Sequence, residues 1–415
     1  MSTHSGPRKI GLFGIFGAGN LGNECTLDAM IYNLRRHVPG AQVSCICSGP
    51  QETALKYAVS AFRIRPVSLP PISSRTIRWL RRIFVGVPVE LYRWFNAVAT
   101  LRDMDMLVMT GTGMLGDFGI RPFDLHYDIL RWSVAAKLCR CKLFFVSVGV
   151  GPILHPLSRR FVKAALSLAN YRSYRDAFSK EYLEGIDFKT DGDAVYPDLA
   201  FSLPISMTPG SSQRNGHKAV IGMGLMTYYN RRSTFEADET LYHAYVATVG
   251  KFVAALVQRK YAVRLLIGDV KYDQRVREDL RRHLEAGGLK FDGTTIVDEP
   301  ASTFDDVLSQ LAATDIVVAS RFHNVLLALM LNKPVVAISY HEKVEALMSS
   351  VGLTEFCQDI DHVDIDRLCD QVTMLRDNAG SITHKIERTA EGYRKELNKQ
   401  YDHLFGNGVG VNGAS

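Results

Sequence analysis

Thr314-Asp-Ile-Val-Val-Ala-Ser-Arg-Phe-His-Asn-Val-Leu-Leu-Ala-Leu-Met-Leu-Asn-Lys-Pro-Val-Val-Ala-Ile-Ser-Tyr-His-Glu-Lys343 reads as strand, helix, strand. The β-branched run Ile316 to Val318 ends in Ser320-Arg321-Phe322-His323, and a helical stretch starts there and runs to about Leu331. Continuous apolar strands of this kind belong to parallel sheets covered on both faces. Arg321 and His323 therefore stand where a parallel strand hands over to a helix. Unpaired backbone N–H groups and the positive end of the helix dipole gather at such a junction and favour anions. An arginine fork and an imidazole suit a phosphate or carboxylate there, and the imidazole titrates near neutral pH. Taken alone, such a pair is more often an ion-paired arginine and a core histidine. The rest of the chain reverses that preference.

The same alternation runs through all 415 residues. Strands are expected at 9–16, 42–47, 105–110, 142–148, 219–225, 262–268, 294–297, 315–319 and 335–339, with helices between them. That pattern predicts an α/β protein with doubly wound parallel sheets. The length favours two domains. The boundary falls in 204–218, where Met-Thr-Pro-Gly-Ser-Ser-Gln-Arg-Asn-Gly-His breaks all periodicity. The expected division is 1–205 and 216–380, a polar helix over 381–405 and a disordered tail at 406–415.

Lys9 to Phe16 is a buried-strand pattern that runs into Gly17-Ala-Gly-Asn-Leu-Gly-Asn-Glu24, ahead of a helix with apolar Leu27, Met30, Ile31 and Leu34. Gly17, Gly19 and Gly22 match G-x-G-x-x-G, a weak signal by itself. A dinucleotide fold also needs an acid closing the second strand, and Ala41 to Cys47 ends in Ser48-Gly49-Pro50 with no acid until Glu52. The nicotinamide reading loses its best discriminator.

Gly-Ala-Gly-Asn-Leu-Gly-Asn-Glu24, Thr110-Gly-Thr-Gly-Met-Leu-Gly-Asp117, Val148-Gly-Val-Gly-Pro152, Tyr174-Arg-Asp-Ala-Phe-Ser179, Tyr196-Pro-Asp-Leu-Ala-Phe201, Ser320-Arg-Phe-His323 and Ser339-Tyr-His-Glu-Lys343 resemble, in this order, the polysaccharide pyruvyl transferase family. The resemblance spans roughly residues 9–375. Asn23 stands where the family pattern has an acid, and Gly111-Thr-Gly113 replaces three glycines. The resemblance implies two α/β halves facing a cleft in a glycosyltransferase-B-like arrangement. It also implies transfer of pyruvate from phosphoenolpyruvate to a sugar of a polysaccharide or its lipid-linked precursor, as a ketal. Such an enzyme needs cations for a carboxylate and a phosphate, an acid for carbon and a base for hydroxyls. Arg321 and His323 are the expected catalytic pair, and Lys343, Arg175 and Ser320 are expected beside them on the donor. Gly17, Gly19, Asn20, Gly22, Asp117 and Asp198 are expected on the acceptor side. Asp198 reads as a base or a turn residue, and Asp176 with Ser179 can equally cap a helix. His126, His155 and His341 read as structural.

Phosphoenolpyruvate enters as a co-substrate; no cofactor and no metal is implied. The seven cysteines, with Cys45 and Cys47 on one strand face and Cys139 and Cys141 at a strand start, read as reduced core residues. No run approaches the ~20 apolar residues of a membrane span, and the N-terminus lacks a signal-peptide pattern, so a cytoplasmic protein is expected. Segment 63–102 mixes Arg63, Arg65, Arg75, Arg78, Arg81, Arg82 and Arg93 with Trp79, Leu80, Phe84, Leu91, Trp94 and Phe95. A net charge of +6 is modest, and no nucleic-acid module is present. The segment is either peripheral membrane contact through 75–95 or an insertion packed on the N-terminal domain with its arginines in solvent. Two rival functions remain: a nucleotide-sugar glycosyltransferase with Glu342 or Glu345 on the ribose, and a non-catalytic glycan-binding relative.

Overall fold

A computed structural model describes residues 7–67, 85–116, 120–204, 218–230 and 238–406. The chain divides into two compact units, one of residues 1–18, 26–199 and 399–415, the other of 19–25 and 200–398. The expected boundary segment 205–217 and the tail beyond 406 lie outside the described residues.

The first unit is built on a seven-stranded sheet in the order β3-β2-β1-β4-β5-β6-β7, every pairing parallel. Its strands are β1 (Lys9–Gly14), β2 (Gln42–Cys47), β3 (Ser60–Arg63), β4 (Met106–Thr110), β5 (Lys142–Val148), β6 (Tyr171–Tyr174) and β7 (Ala194–Val195). Helices α1 (Leu21–His37), α2 (Pro50–Tyr57), α3 (Val87–Leu101), α4 (Leu125–Leu138), α5 (Pro156–Ser167) and α6 (Ala177–Gly185) connect them. The second unit has a six-stranded parallel sheet, β10-β9-β8-β11-β12-β13. It comprises β8 (Val220–Leu225), β9 (Ala262–Ile267), β10 (Ile296–Val297), β11 (Ile316–Ala319), β12 (Val335–Ser339) and β13 (Cys357–Asp359). Its helices are α7 (Glu239–Gln258), α8 (Gln274–Ala286), α9 (Phe304–Ala312), α10 (Phe322–Met330), α11 (Glu342–Ser350) and α12 (Ile365–Asp377). The long α13 (Ala379–Phe405) ends the described chain.

All nine strands expected from the sequence form. The four it did not give, β3, β6, β7 and β13, have four, four, two and three residues and occupy or adjoin sheet edges. Edge strands are covered on fewer sides, so their apolar run is broken; three of the four residues of β3 are exposed. Helix α7 has the length and apolar composition of a membrane span, contrary to the expectation of none. Tyr242, Tyr245, Val249, Phe252 and Val253 are buried in the second unit, which accounts for that apolarity.

Of the insertion, only α3 and its flanks are described; Arg75, Arg78, Trp79, Leu80, Arg81, Arg82 and Phe84 lie outside. The expectation of solvent-facing arginines fails for Arg65 and Arg93. Arg65 pairs with Asp128 at 2.6 Å and Asp124 at 3.1 Å, and Arg93 with Glu90 at 3.1 Å. The fully buried Arg131 joins Asp128 at 2.6 Å and Glu90 at 3.2 Å. Burial alone pushes the Asp128 carboxyl up; Arg131 and Arg65 counter it.

The end of α13 returns to the first unit. Ser147 in β5 has φ of +48°, where the register with β6 shifts. Its backbone N–H donates to Ser173 Oγ at 2.8 Å, and its hydroxyl donates to Gln400 Oε1 at 3.1 Å. Gln400 Nε2 donates to Ser173 Oγ at 2.7 Å. Gln400→Ala leaves two buried hydroxyls, of Ser147 and Ser173, without this partner, so the urea midpoint should fall by the equivalent of about 1–3 kcal/mol. An unchanged midpoint would show that water replaces the amide.

Candidate active site

In the second unit β8 and β11 are neighbours, while β9 and β10 lie outward of β8 and β12 and β13 outward of β11. The strand order reverses there, and ligands of open α/β sheets bind at the carboxyl ends of strands beside such a reversal. Ala319 is in register with Gly224, and Ser320-Arg-Phe-His323 leaves the sheet at this point. Arg321 caps α10 in extended conformation, and Phe322 is the first helical residue. The approach is close: a Cβ on Gly224 would lie 2.7 Å from both Ala319 Cβ and the amide nitrogen of buried Asn324.

Arg321 does not present its fork outward, as the sequence suggested. Its Nε and Nη2 donate to both oxygens of Asp273, the Nε bond at 2.9 Å. Asp273 is fully buried and also accepts the backbone N–H groups of Thr227 at 3.0 Å, Gly268 at 3.3 Å and Asp269 at 2.9 Å. Burial works against the guanidinium charge, but Asp273 outweighs it and the Arg321 pKa is raised. The cation is permanent and fixed in direction, with its Nη1 edge left over from the pair. Ser320, also fully buried, shares a 2.9 Å hydrogen bond with Tyr245, whose hydroxyl is pushed up to about 12 by burial.

His323 is the second residue of α10, its ring edge-on to Phe322 with centroids 5.4 Å apart. The other wall of its seat is Gly22: a Cβ there would lie 1.7 Å from His323 Cδ2 and 2.0 Å from Nε2. Gly19 to Cys25 belong to the second unit. Asn20 forms an isolated antiparallel bridge with Asp269, its side chain donating to the Asp269 carboxylate at 3.4 Å, and the Val270 N–H donates to Gly19 O at 3.2 Å. Gly19, Asn20 and Gly22, expected on the acceptor half, thus group with Arg321 and His323. The reason is these backbone and side-chain bonds to the β9 edge. Lys343 Nζ lies 5.0 Å from the Tyr340 ring centre and 5.6 Å from that of Phe322, which puts a second cation beside the first residue of α10. His341 caps α11, its Nδ1 accepting the Lys343 N–H at 3.1 Å.

Arg175 and Asp198 are both in the first unit, whereas Arg321 is in the second. Arg175 Nη1 donates to Asp198 Oδ2 at 3.4 Å, and a Cβ on Gly149 would lie 2.6 Å from Arg175 Nη2. Asp176 caps α6 by accepting the Ser179 N–H at 2.7 Å. Gly17 lies in the first unit with φ of +68° against Gly49, and Asp117 is outside the described residues. Glu345 accepts from Ser339 Oγ at 2.9 Å and Glu342 lies 3.4 Å from His341, so both acids weighed for a ribose have partners within α11 and its approach. Among the described residues no three His, Cys, Asp or Glu side chains gather as a metal site.

Asp273, Asp269, Tyr245 and Asn324 were missed from sequence. Gly268-Asp-Val-Lys-Tyr-Asp273 follows the apolar run of β9 directly and carried the available signal. It is a second strand-to-helix junction, with acids four residues apart. Burial raises the Asp269 pKa, against the N–H groups of Tyr272 and Lys271 and the nearby Arg321.

These two all-parallel units are those of a transferase with a glycosyltransferase-B-like fold. Solved structures with this fold include a UDP-GlcNAc 2-epimerase from Neisseria meningitidis bound to UDP-GlcNAc (TM-score 0.55, 11% identity, covering 94% of this chain and 100% of that one). A putative UDP-N-acetylglucosamine 2-epimerase from Listeria monocytogenes gives TM-score 0.60 at 12% identity over 96% and 97% of the two chains. A glycosyltransferase from Rickettsia africae gives 0.57 at 10% over 97% and 99%. No curated protein matches the sequence. The sequence model of polysaccharide pyruvyl transferases matches residues 20–342, and the chain belongs to that family.

Gly22→Ala should push the His323 ring from its seat. The ring can rotate away, so thermal stability should change little while turnover falls by roughly a hundredfold, the cost of an ångström of misplacement at a reacting group. Full activity in this variant would separate His323 from the chemistry.

Proposed function

We propose that this pyruvyl transferase takes phosphoenolpyruvate as donor and leaves its pyruvate as a cyclic ketal on two hydroxyls of a sugar in a polysaccharide or its lipid-linked precursor. The observation that carries the reading is the Ser320-Arg-Phe-His323 junction, with its oriented cation and half-buried imidazole at the strand reversal. A proton adds to the methylene carbon of the donor, giving an oxocarbenium-like centre at the neighbouring carbon. One sugar hydroxyl attacks it and loses its proton. The C–O bond to phosphate breaks, and the second hydroxyl closes the ring. The sum is donor plus diol giving ketal plus inorganic phosphate, with no redox change. His323 delivers the proton to carbon or holds the leaving phosphate, Arg321 and Lys343 meet the anionic groups, and the α10 N-terminus adds its N–H groups. Ser320 positions the turn through Tyr245. Arg175 and Asp198 form the corresponding charged pair of the first unit, with Asp198 the candidate base toward the sugar.

A nucleotide-sugar glycosyltransferase is the competing reading, because structural relatives bind UDP-GlcNAc or UDP. At 9–12% identity those relatives speak for fold and not for ligand. The discriminating experiment incubates the protein with phosphoenolpyruvate and a panel of nitrophenyl and lipid-linked sugars, and weighs the products. A mass gain of pyruvate less one water, with release of inorganic phosphate, is expected. In the same assay His323→Ala should retain its fold and lower turnover roughly a hundredfold or more, the range of a lost general acid. Transfer of a hexose from UDP-GlcNAc, with no product from phosphoenolpyruvate, would overturn the assignment.

A further inference from the structure

Helix α3 is amphipathic in the wrong sense for a surface helix. Its only charged residues, Glu90 and Arg93, turn toward the protein, where Glu90 pairs with Arg93 and with buried Arg131. Ala97 and Leu101 are buried, and Trp94 Nε1 donates to Tyr127 on α4 at 3.1 Å. The face toward solvent is apolar throughout: Leu91 is 66% and Phe95 70% exposed, with Val87, Pro88, Tyr92 and Ala99 beside them. Val87, Leu91 and Phe95 follow at four-residue spacing and make one stripe. Isolated exposed leucines need no explanation, but a continuous apolar helix face without a charge marks a contact surface.

We infer that this face of α3 docks on an anionic lipid bilayer, the helix lying in the plane of the interface with Leu91, Tyr92 and Phe95 in the acyl boundary. Charge selects the occupant. The sequence from Thr53 to Val89 contains no acidic residue, and the stretch entering the helix carries Arg75, Arg78, Arg81 and Arg82. Apolar side chains on one face and a neighbouring run of arginines are the two features by which peripheral helices bind anionic membranes. A second copy of this chain is the alternative occupant, and the test below separates the two. The inference is independent of the pyruvyl donor and stands or falls separately from it.

The test uses the full-length protein with vesicles of phosphatidylcholine containing phosphatidylglycerol, against phosphatidylcholine alone, at low and rising salt. Co-sedimentation should require phosphatidylglycerol and weaken as salt screens the arginines. The double variant Leu91→Ser with Phe95→Ser, which removes only exposed side chains, should lower the partition coefficient by roughly tenfold or more, while transfer to soluble sugars stays unchanged. A Phe95→Trp variant gives a second readout: vesicles should shift its added emission to the blue, and brominated acyl chains should quench it. No binding by the unsubstituted protein, equal binding by the double variant, or no spectral shift at position 95 would overturn the inference. So would a dimer in vesicle-free solution that the double variant splits, because the face would then belong to a second copy.

Discussion

The Asp273 carboxylate is the point on which the carboxyl edge of the second unit's sheet is assembled. It accepts from three successive regions of chain: Thr227 after β8, Gly268 and Asp269 after β9, and Arg321 after β11. Each region leaves the sheet at its carboxyl edge, and each would otherwise be an irregular turn with unsatisfied N–H groups. A buried ion pair adds little net stability compared with apolar packing, yet removing one partner costs about 3–5 kcal/mol, because the other charge is stranded. The pair therefore enforces one geometry. It also fixes the direction of Arg321, since a guanidinium bound on two nitrogens keeps little freedom.

Around that centre the polar groups fall into layers. Ser320 and Tyr245 lie behind the turn, Asp269 holds Asn20 on one flank, and the Gly22 backbone supports the His323 ring. The first unit has its own charged pair, Arg175 with Asp198, backed by Gly149 and by the Asp176 cap of α6. Both arrangements follow one design: a glycine lets a functional side chain lie flat against backbone, and a carboxylate fixes the direction of an arginine.

Much of this was legible in the chain. Continuous apolar runs betray central parallel strands because both sheet faces are covered, and the junction after Ala319 could be read from local order alone. That order placed Arg321 and His323 at the turn into α10. It did not place their partners, because Asp273 lies 48 residues from Arg321 and a contact across two crossovers leaves no local trace. Gly22 looked like part of a phosphate loop, since its real constraint is an imidazole from the far end of the family match. The short edge strands escaped for the opposite reason: their residues are half exposed, so pattern and burial no longer coincide. For segment 63–102 the sequence left membrane contact and packing on the first unit both open, and only the ion pairs of Glu90 and Arg93 reveal which side of α3 is inward.

Helix α13 carries a consequence for how the chain matures. Gln400 supplies the amide that joins β5 to β6 through Ser147 and Ser173, yet it emerges some two hundred residues after β6. At translation speeds of 5–20 residues per second the gap amounts to about 10–40 s. Until then Ser147 and Ser173 have no Gln400 amide to bond. The sheet made first is finished last, and the sheet made second has all its strands before then. The Gln400 contact is therefore among the last that synthesis can supply to the first unit.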